Sequence, residues 1–421
     1  MWHLQEPTDT LASLNTDCRA CGHAIAAFMS FGRMPIANGF LPSDHLAGEY
    51  FFELAPAVCG HCGLFQLTRQ PDPERMFHDN YAFFSGTSRH MQAHFQAFAG
   101  AVMAGPLRGR DDPFVVELGS NDGIMLRHFR SAGIRHIGVE PSVNVADAAR
   151  AAGIETLAGF FDEALADRIA AAHGQADAVL AANVVCHIAN LVGVARGVVR
   201  LLKPDGVFLF EDPYLGAMIE KTAYDQIYDE HVFMFSVLSV QRAFARHGLE
   251  LIDAEAQPTH GGSMRYTLAP QGHRSVSPRV GEWLARERVK GLDRPETYNR
   301  FRQACERSRD ELVRLLDDLR AHCKRIVGYG ATSKSTTVTN YCGISPDNVE
   351  FIADTTPIKQ GKLSPGAHIP VQPYTDFVRD YPDYALLFAW NHETEIREKE
   401  RAFLAQGGRF IRYVPDVRIV S

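Results

Sequence analysis

Twice in this chain an apolar run ends in a glycine-bearing turn and passes at once into a helical pattern. The first case, "DPFVVELGSNDGIMLRHFRSAG", reads as a strand over 114–118, a turn over 119–123 and a helix. The second, "RIVGYGATSKSTTVTNYCG", repeats strand, small-residue turn and helix far downstream. After the first come "RHIGVE" ending at Glu140, an alanine-rich helix over 143–152, "DAVLAANVV", a helix near 191–202 and "KPDGVFLFEDP". After the second come "VEFIADTTPIKQGKLSPGAHIPV" and "YALLFAWNHETEI". Such alternation predicts doubly wound parallel sheets, with ligands at the carboxyl ends of the strands. Two Rossmann-like halves are therefore expected. The helical stretch before the second half, roughly Pro295 to Cys323, carries Leu312, Leu315, Leu316 and Leu319 at helical spacing and reads as core packing.

At 421 residues there is room for a further unit. Four of the eight cysteines form two pairs, "CRACGH" (Cys18, Cys21) and "CGHCG" (Cys59, Cys62), with 37 residues between them. Two intervening residues let both sulfurs of a pair reach one ion, and Gly22, Gly60 and Gly63 ease the turns. Four thiolates suit tetrahedral Zn²⁺ and leave no open position, so the site is expected to be structural. The spacer, with "EYFFELAPAVC", reads as a small β-rich insert. A redox pair or free core thiols are the competing readings, and both sit poorly with two CxxC copies. His23 and His61 are expected to be bystanders. Cys186, Cys305, Cys323 and Cys342 read as scattered core thiols.

The first glycine turn discriminates between ligands. A dinucleotide fingerprint starting at Gly119 would need glycine where Asn121 and Ile124 stand. E-x-G-S-N-D-G with an acid ending the next strand fits S-adenosylmethionine better, because that ligand carries no phosphate. Glu117, Gly119, Ser120, Asn121, Asp122 and Gly123 would form the loop near its amino-acid moiety. Glu140 would take the ribose hydroxyls, Phe160 and Phe161 would wall the adenine, and Asn183 would face the methionine from another strand end. "LLKPDGVFLFEDP" also looks like the late helix–turn–strand of class I methyltransferases. The second turn reads G-x-G-x-x-S, with Ser333 in the third glycine's place. Helix N-terminal amides with Lys334 would hold a phosphate there, and a tight turn without a ligand is the competing reading.

One short run asks for chemistry. "IYDEHVFMF" places Tyr228, Asp229, Glu230 and His231 consecutively between Ile227 and Val232–Phe235. Titratable side chains in so apolar a setting need partners, and such groups gather at functional sites.

In order and spacing, "CRACG…CGHCG", "NYAFFSGTS", "VVELGSNDG", "ANVVCHI", "IYDEHVFMFS", "HGGSMR", "GYGATSKS", "FIADTTPIKQGKLSPGAHIPV" and "LLFAWN" carry a resemblance over nearly the whole chain. It resembles the three-domain, zinc-containing sugar C-methyltransferases of deoxysugar biosynthesis, which methylate a carbon next to the ketone of a nucleotide-linked keto sugar. The resemblance implies a zinc domain (1–80), an S-adenosylmethionine-binding methyltransferase domain (81–255) and a Rossmann-like nucleotide-sugar domain (256–421). It implies His231 as base with Tyr228 and Glu230 beside it, Tyr81 as an active-site phenol and His187 near the substrate. Ser263, Arg265, Thr332, Ser333, Lys334 and Trp390 are the expected acceptor contacts. The run departs from the family at Asp229, where relatives often have histidine, and "GYGATSKS" departs from their alanine, lysine and glycine.

Carbon becomes a nucleophile only after losing a proton next to a carbonyl. That needs a base with a pKa near the working pH and donors aimed at the developing oxyanion. Three rivals stand beside this reading: an O- or N-methyltransferase on the same sugar, an NAD(P)-dependent oxidoreductase using "GYGATS", and a non-catalytic zinc protein on nucleic acid. The net charge of −7 and the lack of a basic stripe count against nucleic acid and anionic membranes. "MWHLQEPTDTLASLN" has acids and no apolar core, so it does not read as a secretory signal. "DAVLAANVVCHIANLVGVARGVV" is broken by Asn183, His187, Asn190 and Arg196 and does not read as a membrane span. A cytoplasmic enzyme is expected. Nothing marks a self-complementary surface, so a monomer is expected too.

Overall fold

The computed structural model describes residues 14–76 and 89–420, with only the backbone of 89 and 90. The first part is small and β-rich: β1 (Arg33–Pro35) pairs antiparallel with β2 (Phe51–Glu53), and β3 (Pro56–Val58) pairs with β4 (Phe65–Leu67). Its strands pack Phe52, Phe65 and Leu67 into the same core as Tyr298, Leu312 and Phe410 of the last part. Its cysteine end packs Cys18, Cys59, Cys62 and Leu64 against the central sheet. The zinc-type unit is thus wedged between two cores.

The central sheet contains β5 (Phe114–Leu118), β6 (Arg135–Glu140), β7 (Thr156–Ala158), β8 (Ala176–Ala182) and β9 (Leu202–Pro213), all parallel. A two-residue strand, β10 (Phe233–Met234), leaves this sheet's neighbourhood to pair with β4. β11 (Leu249–Gln257) and β12 (Ser263–Pro270) then form an antiparallel hairpin, and β12 runs antiparallel beside β9. The full order is β11-β12-β9-β8-β5-β6-β7. The purely parallel expectation is corrected here. A hairpin closed through Thr259–Gly261 reverses direction, so one of its two strands must oppose the rest. The strand in "HGGSMRYTLAP", read from sequence as opening the last unit, therefore completes the central sheet.

The last sheet has β13 (Ile326–Tyr329), β14 (Ile352–Asp354), β15 (Val371–Pro373), β16 (Tyr384–Leu387) and β17 (Arg409–Arg412) in parallel, with β18 (Arg418–Val420) antiparallel at one edge. Its order, β15-β14-β13-β16-β17-β18, makes β13 the strand at which the order reverses, where α/β sheets bind ligands. The predicted helix forms as Pro295–Ala321 and buries Leu312, Leu316 and Leu319. Among the described residues no helix is long and apolar enough to cross a membrane.

Candidate active site

At the knuckle the four sulfurs lie within 4.8 Å of one another, with Cys18–Cys62 and Cys21–Cys59 each at 3.5 Å. A tetrahedral zinc site sets sulfur–sulfur edges of about 3.8 Å, so the cage fits that ion with little movement. Gln66 Nε2 donates to Cys18 Sγ at 3.2 Å, and Arg19 N–H fixes the amide through Gln66 Oε1 at 2.9 Å. Hydrogen bonds from Cys62 and then Gln66, against the opposing effect of burial, bring Cys18 down to about 4, the thiolate a cation needs. His23 and His61 stack on each other at 3.8 Å outside the cage, and both are exposed.

At the carboxyl end of β5 the chain bends through Gly119 at φ 63 and Asn121 at φ 48. A side chain at Gly119 would meet Val184 Cγ2 at 2.3 Å, so only glycine lets this turn touch the β8 end. Glu140 Oε2 accepts from Asn121 N–H at 3.0 Å and Oε1 from Ser142 N–H at 2.9 Å. Glu117 Oε2 and Asn183 Oδ1 are buried without a hydrogen-bond partner among the described residues. Burial first, then the charges of Glu140 and Asp122, push Glu117 well above the ordinary carboxylate range; burial raises Glu140 as well. A ligand with a sulfonium and an ammonium relieves this crowding of acids, whereas a diphosphate would worsen it. S-adenosylmethionine therefore fits. Phe160 is exposed, while Phe161 is buried against Gly197 in the core behind the turn.

The Ile227–Phe235 run lies where all three parts meet. Its apolar members are fully buried, and Tyr228, Asp229, Glu230 and His231 are at most 9% exposed. Asp229 Oδ1 accepts from Ala37 N–H at 3.0 Å, and Glu230 Oε1 from Asn38 Nδ2 at 2.5 Å, both across from the zinc-type part. From the last part, Thr337 Oγ1 donates to Ile227 O at 2.9 Å and Thr336 Oγ1 to Ala37 O at 2.8 Å. The loop is clamped on both sides.

Within it, His231 Nδ1 lies 2.7 Å from the Gln226 carbonyl, which only accepts. Nδ1 therefore carries the proton, and Nε2 accepts from the Tyr228 hydroxyl at 2.7 Å. Burial, then the neighbouring His187, lowers His231 well below the ordinary imidazole value, so it stays neutral. His187, in the turn Val185–His187, lies with its ring centroid 5.3 Å from that of His231, and burial brings it down to about 4. Tyr81 lies outside the described residues.

On the far side Lys334 is buried at the start of the helix Ser333–Tyr341, with Nζ 3.3 Å from Asn391 Oδ1 and 4.8 Å from the centre of the Trp390 ring. Trp390 Nε1 donates to Asp225 Oδ2 at 2.6 Å, joining the central and last parts. Thr332 caps the helix, and Ala331 N–H is taken by Asp354 Oδ2 at 2.7 Å. Ser333 is only partly buried beside them. Two expected contacts face inward instead: Ser263 Oγ donates to Thr259 O, and Arg265 pairs with buried Glu211 at 2.9 Å while lying 3.8 Å from the Phe98 ring centre.

Sequence reading passed over Asn38, Gln226, Asp225 and His260. Asn38 and Asp225 act through bonds to distant segments that no local pattern announces, and Gln226 acts through its backbone carbonyl, which its residue type does not reveal. His260 left a usable sign, since "HGGS" puts a histidine before two glycines. All three of His260, Gly261 and Gly262 have left-handed φ, of 52, 84 and 130. A side chain at Gly261 would strike the Trp390 ring at 2.4 Å, so the turn is packed tight. Its geometry presents a buried His260 Nε2 with no partner among the described residues, near enough to His231 and Lys334 to feel both. Non-glycine strain of this kind gathers at functional sites.

Comparison with known proteins gives three family matches in series along the chain. Residues 18–77 match a zinc binding domain family, 89–254 a methyltransferase domain and 258–415 a C-methyltransferase C-terminal domain. The C-methyltransferase NovU of Streptomyces niveus is 36% identical over 408 residues, covering 96% of this chain and 97% of that protein. Among solved structures, PH0226 of Pyrococcus horikoshii (16% identical, TM-score 0.35) covers 45% of this chain and 95% of that one. The CcbJ methyltransferase of Streptomyces caelestis (13%, TM-score 0.32) covers 42% and 89%. Both overlap under half of the chain and too loosely to bear on the reading. The chain-long match to NovU and the three family matches in series, laid over the knuckle, the turn and the clamped run, place this chain in the family of three-part, S-adenosylmethionine-dependent C-methyltransferases.

Proposed function

We propose that this enzyme methylates the carbon next to the ketone, C3, of a 4-keto-deoxyhexose carried on a nucleoside diphosphate, in cytoplasmic deoxysugar biosynthesis. The observation carrying this is the lone pair on His231 Nε2: a neutral, oriented base beside a phenol, in a run clamped by bonds from the first and last parts. His231 takes the C3 proton, and the electron pair moves onto the ketone oxygen as an enediolate. Tyr228 turns its hydroxyl from Nε2 to that oxygen, and Glu230, held by Asn38, accepts from a sugar hydroxyl. Tyr81 is a second candidate phenol. Glu117, the 119–123 turn, Glu140, Phe160 and Asn183 would hold S-adenosylmethionine, which would supply the electrophilic methyl: its bond to sulfur breaks as the bond to C3 forms, and the sulfur leaves as a neutral thioether. Lys334, Thr332, Ser333 and Trp390 meet the nucleotide side of the acceptor, and His187 meets the sugar.

The test is incubation with S-adenosylmethionine and a panel of nucleotide-linked 4-keto-6-deoxyhexoses in deuterated water, followed by mass spectrometry. Methyl gain with loss of the C3 hydrogen supports the proposal. Methyl gain with that hydrogen retained moves the reaction to oxygen or nitrogen and removes the base.

A further inference from the structure

The knuckle cysteines are not the sole soft ligands within reach of one another. Cys186 Sγ and one ring nitrogen each of His187 and His231 also lie within 4.8 Å of each other. We propose that these three side chains form a site for one thiophilic divalent cation, and that its occupancy shuts the enzyme off. A zinc ion with two imidazoles and one thiolate sets ligand separations of about 3.4–3.6 Å, so closure needs movements of about 1 Å. Three protein ligands leave a fourth position for water or an anion.

The support around the ligands is of the kind metal sites require. The Gln226 carbonyl already holds the proton of His231 on Nδ1 and leaves Nε2, which accepts from the Tyr228 hydroxyl, as the nitrogen with the lone pair. Asp212 accepts from Val184 N–H at 3.1 Å and Cys186 N–H at 3.0 Å, fixing the cysteine backbone. On binding, the sulfur–hydrogen bond gives way to a sulfur–metal bond and the proton leaves to solvent. The Tyr228 hydroxyl gives up its bond to Nε2. His187 is partly exposed, which supplies the entry side, while Cys186 is fully buried. The inhibitory consequence rests on His231 being the base; the site itself does not.

The experiment uses the full chain with its knuckle metal in place. Bound zinc is counted by elemental analysis after equilibration in zinc-buffered solution, and turnover is followed against free zinc. Expected are a second equivalent of zinc and loss of turnover as it binds. Cys186→Ala, with Cys186→Ser as the closer replacement if alanine fails to fold, should return the count to one. It should keep turnover at low zinc and shift inhibition at least tenfold upward in free zinc. A count that stays at one in the unaltered chain overturns the site. So does a second ion that survives in the Cys186 variants but is lost in His61→Ala, which would place it on the exposed His23–His61 pair. A second ion that depends on Cys186 yet leaves turnover unchanged upholds the site and removes His231 from the role of base.

Discussion

His231 Nε2 keeps its lone pair because the other ring nitrogen donates to a backbone carbonyl, a partner that cannot be protonated away. Replacing the ring by a smaller amide keeps a polar side chain and removes the basicity. His231→Asn should lower turnover by about 10²–10⁴ while calorimetry finds S-adenosylmethionine affinity unchanged. Turnover close to that of the unaltered enzyme would end its role as base. The direction of the pKa also makes a prediction. An imidazole held below its ordinary value stays deprotonated as pH falls through 6.5 and is lost as a base only well beneath that. The acidic limb of kcat/KM should therefore lie below 6.5; a limb at 6.5 or above would mean His231 is not so desolvated at work.

At the scale of elements, two glycine turns separate the two ligands. Gly119 abuts Val184 at the β5 and β8 ends, and Gly261 abuts Trp390 beside Asp225. Both have left-handed φ, where alanine costs about 1–2 kcal/mol before any clash. Gly119→Ala should weaken S-adenosylmethionine at least tenfold with little change in acceptor KM. Gly261→Ala should raise acceptor KM and leave the cofactor alone. Equal effects on both ligands in either variant would show that the turns act only through stability. These elements also mark how far the sequence was legible. The turn, Glu140, the four cysteines and the Tyr-Asp-Glu-His run are contiguous motifs and could be read directly. Asn38 meets Glu230 across 192 positions, and Asp225 meets Trp390 across 165, so their roles exist only once the chain is folded. Asp229 stood out as a departure in the run, and it turned out to hold Ala37 N–H. Arg265 looked like a cation for the acceptor; its direct partner in the register, Glu211 on β9, had already claimed it.

Across the whole molecule, the knuckle is tied to the pocket through the segment it supports. Ala37 and Asn38 hold Asp229 and Glu230, and Thr336 holds Ala37 in turn. Removing the zinc should therefore impair a reaction in which the ion takes no part. Stripping it with a chelator, or Cys59→Ser, should reduce turnover about tenfold or more and lower the melting temperature, with S-adenosylmethionine affinity retained. Full turnover in the stripped protein would show that the clamp holds without its metal.

One short strand bears on how such a molecule is made. β4 is paired on one side by β3 and on the other by β10. On the ribosome, β4 emerges long before Phe233, a delay of roughly 10–30 s at ordinary synthesis rates. For that interval the first unit carries an unsealed edge. The strand that seals that edge is translated just after the active-site run, since only Val232 stands between His231 and Phe233. A nascent chain stalled before residue 233 would be left sticky, and a chain released past it closes its oldest seam with its newest functional residues.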